Sequence, residues 1–574
     1  MSHLVHQIQI TLDHSRWRML ALAGWLLAIL SIGLIWLGDQ ALQDGQAVDF
    51  LAPDGERLSA TYYPGEQAGG VLLLEGFGSD QVSLRSAANE FAREGLHVFT
   101  FDFSGHGRSG GTLAFDNAQT DRLARQALEA LKVFQQVSGL DRRQILVMGH
   151  SLGARVALQA ATLDPRSSRG LILVGTQVNL GANVQAEFFT GASDAELDWV
   201  KSLGPQNPAV PIYLISGMWD DILTPQGAQL LLCRLAGSAA RCQPFRRRFG
   251  EDFASREALL VPALLHNYEI ISARVLSAAK EWAGYALGLT INPAAPAAIT
   301  RILAWLIGAA GITAGSIGLA RWQPGAGPVK PFDAGPAQAG WAITNTGRFL
   351  TGKLLLWLAA LPFAALLSGL YFFLPIGVPV LNLIYVGLIG GNGLLMLLLY
   401  RLGRVPGVQG RLGALAARDA PGDSRTSPRG IGTALAVSLL IFAVTAAYAR
   451  TGWFHVFPLN QRLAWLALFI PPTALGFWFG LKEMQMVQQA SSRAFDRLAL
   501  TMIGLAPFFL WNAFLAAIGS LSGLVGGVQG LVVLAWALIY GQVIRAAGQS
   551  AWLAALLQSL LLYWLLLPQG VLFK

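Results

Sequence analysis

Apolar positions are segregated along this chain. Residues 19–38 form one unbroken apolar span, preceded by Arg16 and Arg18. From residue 45 to 290 the pattern changes to short apolar runs separated by longer amphipathic stretches. After residue 297 long spans return, at roughly 299–320, 351–373, 377–400, 430–448, 463–481, 498–520, 524–544 and 551–571. About 20 apolar residues suffice for a helix to cross the hydrocarbon core, so nine transmembrane helices are expected, counting the first. Pro362, Pro471 and Pro472 fall within spans and predict kinks. The first span is too long for a signal-peptide core, and no small-x-small cleavage site follows it. It therefore reads as an uncleaved anchor behind a cytoplasmic tail of residues 1–18.

The middle region alternates strand and helix signals. Strands are expected near 71–75, 97–102, 144–149, 170–175 and 211–216, and helices near 83–94, 117–138 and 152–163. A hairpin over 47–65, turning at Asp54-Gly55, precedes them. Such alternation implies a mostly parallel sheet with helices on both faces. Residues 177–208 are expected to cap the sheet, with Ala186, Phe188, Phe189 and Trp199 giving apolar surface. The expected layout is an α/β domain over 45–290 and an all-α membrane domain over 299–574.

Only 13% of the 574 residues are charged, and the mean hydropathy is +0.48. Residues 39–297 carry 21 basic and 27 acidic side chains, whereas the remainder carries 20 basic and 6 acidic. The overall charge of +8 thus belongs to the membrane half. It reflects membrane orientation and contact with lipid headgroups, not nucleic acid. With the N-terminus inside, the cytoplasmic loops hold Arg321, Lys330, Arg348, Lys353, the arginines from 401 to 429, Lys482, Arg493, Arg497 and Arg545. The opposite loops hold Arg450 and Arg462, with Arg301 and Lys574 at the outer ends. The positive-inside rule then puts the α/β domain outside the cytoplasm, in an integral protein of a bacterial plasma membrane. Asp333, Asp419, Asp423, Glu483 and Asp496, the acidic residues of the membrane half, all fall in expected cytoplasmic loops. Acids absent from the spans argue against an ion-coupled carrier. Polar Asn382, Asn392, Asn512 and Gln529 are read as interhelical hydrogen-bonding groups. Gly390-Gly391-Asn392-Gly393 permits close packing or a local break. Cys233 and Cys242 lie on the oxidising side, where a bridge can form but is not required. They lack zinc-ligand spacing with histidine, so neither metal nor cofactor is expected.

The chemistry centres on Gly149-His150-Ser151-Leu152-Gly153, between an apolar run and a helix-forming stretch. This is a G-x-S-x-G turn in strand-to-helix context, which exposes the serine hydroxyl at the tip. The serine needs a base, and the base an orienting acid. Of eight histidines only His266 and His455 follow Ser151, and His455 sits between apolar spans, leaving His266. The acid should follow the strand over 211–216: Asp220 is preferred, with Asp221 the alternative and otherwise a helix cap near Pro225 or a solvent-facing group. Oxyanion donors are expected from the amides of Leu152 and Phe77, the latter after the strand ending at Glu75. Phe77 and His150 are the expected substrate contacts.

With Phe101-Asp102-Phe103-Ser104-Gly105-His106-Gly107-Arg108-Ser109, residues 45–290 resemble the α/β-hydrolase superfamily. The resemblance is to its monoglyceride-lipase, lysophospholipase and serine-aminopeptidase branch, where this turn shapes the sheet and pocket without doing chemistry. The family usually has His-Gly where this chain has Glu75-Gly76. That carboxyl is read either as hydrogen-bonded to loop amides or as a group that perturbs the histidine or repels anionic substrates. The expected activity is ester hydrolysis outside the cytoplasm, on a small-molecule or lipid ester. Acyl transfer by the same acyl-enzyme is one alternative. A transporter or sensor with a non-catalytic hydrolase-like domain is another. Oligomeric state is not legible.

Overall fold

A computed structural model describes residues 2–114, 119–178, 194, 197–237, 256–322, 342–410, 428–452, 455, 462–491, 493–547 and 549–574. Eight strands, β1 Gln46–Leu51, β2 Arg57–Tyr63, β3 Gly70–Leu74, β4 His97–Phe101, β5 Ile145–His150, β6 Gly170–Val174, β7 Ile212–Gly217 and β8 Arg256–Val261, form one sheet. Their order is β1-β2-β4-β3-β5-β6-β7-β8, and only β2 runs against the others. The expected hairpin is β1–β2, with Gly55 in the left-handed region at φ 82°. β8 was not expected: Arg256-Glu-Ala-Leu-Leu-Val begins with two charges, and its strand character comes from pairing with β7.

The central strands are buried on both faces, which explains their continuous apolar runs. Val71 and Leu73 of β3 pack on one side, and Leu72 and Leu74 on the other. The second side is covered by α3 Gln119–Ser138 and α4 Leu152–Leu163, and the first by α2 Arg85–Ala92 and the helix Ala273–Leu287. The first core continues without a break into the membrane helices, through residues such as Trp25 of the first helix, α1 Ser2–Gly38, and Trp305 and Tyr448.

Eight helices among the described residues are long and apolar enough to cross a membrane: Ser15–Gly38, Pro296–Arg321, Thr346–Phe372, Val380–Leu402, Arg462–Ala490, Ala494–Ala517, Leu521–Ala546 and Ala551–Gln569. The remaining expected span is the helix Pro428–Arg450, of which Leu435–Arg450 is apolar. Pro362, Pro471 and Pro472 lie inside continuous helices, as does Pro507. The glycine run around 390 does both things expected of it. Val386–Gly390 is a π-helical turn, and a Cβ on Gly391 or Gly393 would come within 2.6 Å of Ala364 or Gly476 backbone.

One expectation is corrected. Glu483 is not in a loop, because the Arg462–Ala490 helix continues past the last apolar residue of its span. Its buried carboxylate pairs with Lys353 at 3.0 Å and accepts from Tyr400 at 3.3 Å. Asp496 likewise lies in the first turn of Ala494–Ala517. Asp333, Asp419 and Asp423 lie outside the described residues.

The sheet meets the bundle through specific polar contacts. Asp39, at the end of the first span, takes Arg301 and Arg85. Glu90 on α2 accepts the amide of Ala298, capping the Pro296–Arg321 helix at 3.0 Å. Arg462, fully buried, donates to the carbonyls of Gly105, Gly107 and Gly570. Arg301 and Arg462, basic residues on the side poor in positive charge, are therefore consumed in this junction. The C-terminal residues Leu572–Phe573 pair with Val378–Pro379 and bridge to Leu113.

Candidate active site

β5 delivers the chain into the turn at Ser151, which is held at φ 55°, ψ −116°. That left-handed backbone is strained for serine and aims Oγ away from the sheet. The turn is crowded: a Cβ on Gly149 would lie 2.3 Å from Gly153, and one on Gly153 2.5 Å from the Leu74 and Glu75 carbonyls. α4 can approach β5 only because position 149 is glycine, and β3 only because position 153 is.

Ser151 Oγ lies 2.9 Å from His266 Nε2, and His266 Nδ1 lies 2.7 Å from Asp220 Oδ2. With Asp220 ionised, Nδ1 carries the proton and Nε2 accepts from the serine. Asp220 and His266 are both buried. Asp220 Oδ1 is fixed by the amides of Ile222 at 3.0 Å and Leu223 at 2.8 Å, leaving Oδ2 for the imidazole. Asp221 points the other way. It does not cap the Pro225–Ala236 helix, which Thr224 caps, and it is only half-buried. Its carboxylate accepts from the amide and hydroxyl of Ser522 in the membrane half, at 3.0 and 2.5 Å.

Leu152 opens α4, so its amide has no intrahelical carbonyl to bond. The Glu75-Gly76-Phe77 segment lies against the serine, since a Cβ on Gly76 would be 3.3 Å from Ser151 Cβ. The Phe77 ring packs edge-on to His106 at 6.4 Å and against Phe573 at 5.7 Å. His150 is turned toward the base: buried, it donates from Nε2 to the His266 carbonyl at 3.1 Å. Burial, and next the neighbouring His266, hold it neutral with a pKa lowered to about 3.

Three buried groups tune this surrounding. Glu75 accepts the Phe103 amide at 2.9 Å. Its complete burial, reinforced by Asp102 and Asp80, raises its pKa well above the ordinary carboxylate range and favours the neutral form. The amide-bonded reading of Glu75 is thus the one observed. His106, also buried, has its pKa lowered to about 4 by desolvation and backs the Phe77 ring. Glu269 accepts the Gly217 amide at 2.5 Å, while its Oε2 lies 3.6 Å from His266 Nδ1. Burial first, and Asp220 next, raise its pKa well above the usual range.

His150, His266 and Glu269 bring their donor atoms within 4.8 Å of one another, a spacing that could hold a metal ion. Both His266 nitrogens are already engaged by Ser151 and Asp220, however, and His150 Nε2 by the His266 carbonyl.

His455, set aside in the sequence, returns to the family-like turn. Its amide donates to Asp80 Oδ2 at 2.7 Å, and its Nε2 lies 3.2 Å from Asp102 Oδ2. Burial lowers its pKa, but Asp80 and Asp102 outweigh that and raise it overall. No local signal marks this role, since the contact spans more than 350 residues. Of the expected cap, Trp199 stacks on Arg155, which pairs with Asp194 at 2.7 Å. Ala186, Phe188 and Phe189 lie outside the described residues. Cys233 is disulfide-bonded; Cys242 lies outside the described residues.

Residues 65–209 match the family model for serine aminopeptidase, S33. The first half of the chain is an α/β-hydrolase domain. Curated relatives include protein phosphatase methylesterase 1 of Candida albicans, 31% identical over 21% of this chain and 32% of that protein. Monoacylglycerol lipase of Mycolicibacterium smegmatis is 26% identical over 25% of this chain and 48% of its own length. An uncharacterised Mycobacterium tuberculosis protein is 29% identical over 43% of this chain and 81% of its own length. The chain thus spans about a third and about half of the first two relatives. These matches place the chain among hydrolase and esterase relatives; the helices after residue 296 follow that domain.

Proposed function

We propose that this protein is a membrane-embedded serine hydrolase that cleaves an acyl ester. Ser151 attacks the carbonyl carbon, and its proton passes to His266 Nε2. Asp220 holds the imidazole tautomer and stabilises the imidazolium. The amides of Phe77 and Leu152 hold the oxyanion. The alcohol leaves with the proton from His266, and water then releases the acid and regenerates Ser151. The observation that carries this reading is the continuous Asp220–His266–Ser151 chain, at 2.7 and 2.9 Å.

A lipid-derived ester is the proposed substrate class. Segments following the carboxyl ends of β3, β4, β7 and β8 all touch the membrane half: Phe77 on Phe573, Gly105 on Arg462, Asp221 and Asn267 on Ser522. In α/β sheets ligands bind at this edge, so the reacting serine would work next to the bilayer. Exposed Met218 and Trp219 beside the acid suit that boundary. Following the asymmetry of basic loops, we place this edge on the outer side of the membrane. The relative named as a monoacylglycerol lipase agrees with an acyl-lipid substrate.

The test is hydrolysis of a monoacylglycerol by full-length protein in lipid nanodiscs. Fatty acid release that vanishes in Ser151→Ala is expected; release unchanged in Ser151→Ala would overturn the assignment.

A further inference from the structure

The helix Leu521–Ala546 begins without a capping side chain of its own. Its first turn instead meets the hydrolase domain. Asp221 accepts both the Ser522 amide and hydroxyl. The Ser522 carbonyl accepts from Asn267 Nδ2 at 2.9 Å. About two turns further on, Gln529 lies beside Tyr268. Asp221 is the residue after Asp220, and Asn267 and Tyr268 directly follow His266. A carboxylate at a helix N-terminus satisfies orphan amides and faces the positive end of the helix dipole.

Ser522 therefore touches the acid-bearing loop with its donors and the base-bearing loop with its acceptor. Those two loops leave neighbouring strands, β7 and β8, and must stay in register for the Asp220–His266 bond to persist. Ser522 itself is buried. Nothing in its position marks it for contact with substrate, and it reaches neither reacting atom.

Resting on the hydrolase reading above, we propose that Ser522 is a positioning residue, through which the membrane bundle clamps the acid and base loops of the triad together. The bundle thereby becomes part of the catalytic machinery. Movement of the Leu521–Ala546 helix, by lipid entry or by a neighbouring helix, would loosen the triad and lower the reactivity of Ser151.

The experiment uses full-length protein in nanodiscs and two readouts. One is the inactivation rate of Ser151 by a fluorophosphonate; the other is kcat and KM on p-nitrophenyl butyrate. Asp221→Ala and Asn267→Ala each free one loop and should lower the inactivation rate and kcat about tenfold or more, since small misplacements of catalytic groups are costly. KM should change less than about twofold, as expected when an interaction acts on the transition state alone. Asp221→Asn keeps an acceptor for the Ser522 amide and should recover most of the rate. Ser522→Ala keeps both backbone contacts and should lose only about threefold, in line with a single net hydrogen bond. The Asp221→Ala and Ser522→Ala losses should not add, because they report one contact. Asn267→Ala keeps the proposal open to refutation if Asp221→Ala misfolds. Wild-type rates in both Asp221→Ala and Asn267→Ala would overturn the positioning role while leaving the hydrolase reading intact. A rise in KM at constant kcat would overturn it by placing the contact on the substrate path. A wild-type protein that never reacts would remove the hydrolase reading, and this proposal with it.

Discussion

Replacing Asp220 by asparagine separates geometry from charge. The Ile222 and Leu223 amides fix one oxygen of the side chain, at 3.0 and 2.8 Å. An asparagine that keeps those bonds must turn its Nδ2 toward His266. His266 Nδ1 then faces a donor and has to become the acceptor, so the proton moves to Nε2. In that tautomer Nε2 donates to Ser151 Oγ across the 2.9 Å contact and can no longer take the serine's proton. Loss of the productive tautomer costs about 10⁴ in kcat, or ~5.5 kcal/mol of transition-state stabilisation. Stability should suffer much less, by about 1 kcal/mol, because the loop-fixing amide bonds survive. The assay is kcat on a short-chain p-nitrophenyl ester with full-length protein, beside the thermal midpoint. Asp220→Asn with an unchanged midpoint and activity within tenfold of wild type would exclude Asp220 as the acid that sets the tautomer. It would move attention to Glu269, whose Oε2 lies 3.6 Å from the same nitrogen.

Other outcomes follow from neighbouring contacts. Gly153→Ala drives a methyl to 2.5 Å from two carbonyls of the β3 end; it should cost at least about 1–3 kcal/mol by overpacking and depress activity, and a wild-type melting curve would contradict that. Glu269→Gln reproduces the neutral form that burial favours and should keep kcat within about threefold, whereas Glu269→Ala leaves the Gly217 amide unpaired and should destabilise by about 1–3 kcal/mol. His455 has a folded pKa above its ordinary 6.5. Its stabilising contribution is therefore complete below that value and is lost as pH rises through the raised one. A thermal-midpoint series from pH 6 upward, roughly to pH 9, should fall more steeply for wild type than for His455→Gln; parallel curves would exclude the linkage.

Ser151 and His266 were legible because chemistry constrains them locally. The turn needs its glycines, and chain order leaves one suitable histidine. Asp220 and Asp221 could be ranked but not separated, since both follow β7 and differ only in direction. One faces His266, and the other faces a helix 301 residues away. His455 was passed over for the same reason: its partners Asp80 and Asp102 are distant in sequence, and a loop between apolar spans carries no sign of docking. Glu483 was misplaced because a span was ended at its last apolar residue, whereas a helix can continue when Lys353 neutralises the buried charge. β8 was missed because its pattern does not alternate and pairing with β7 supplies its strand character.

An activated Ser151 on the outer side of the membrane is what the proposed function requires. The most direct measurement is labelling of intact cells with a membrane-impermeant fluorophosphonate, comparing wild type with Ser151→Ala. Labelling of the wild type alone is expected. Labelling that appears only after the membrane is opened would contradict the outward orientation, and no labelling under either condition would contradict the triad.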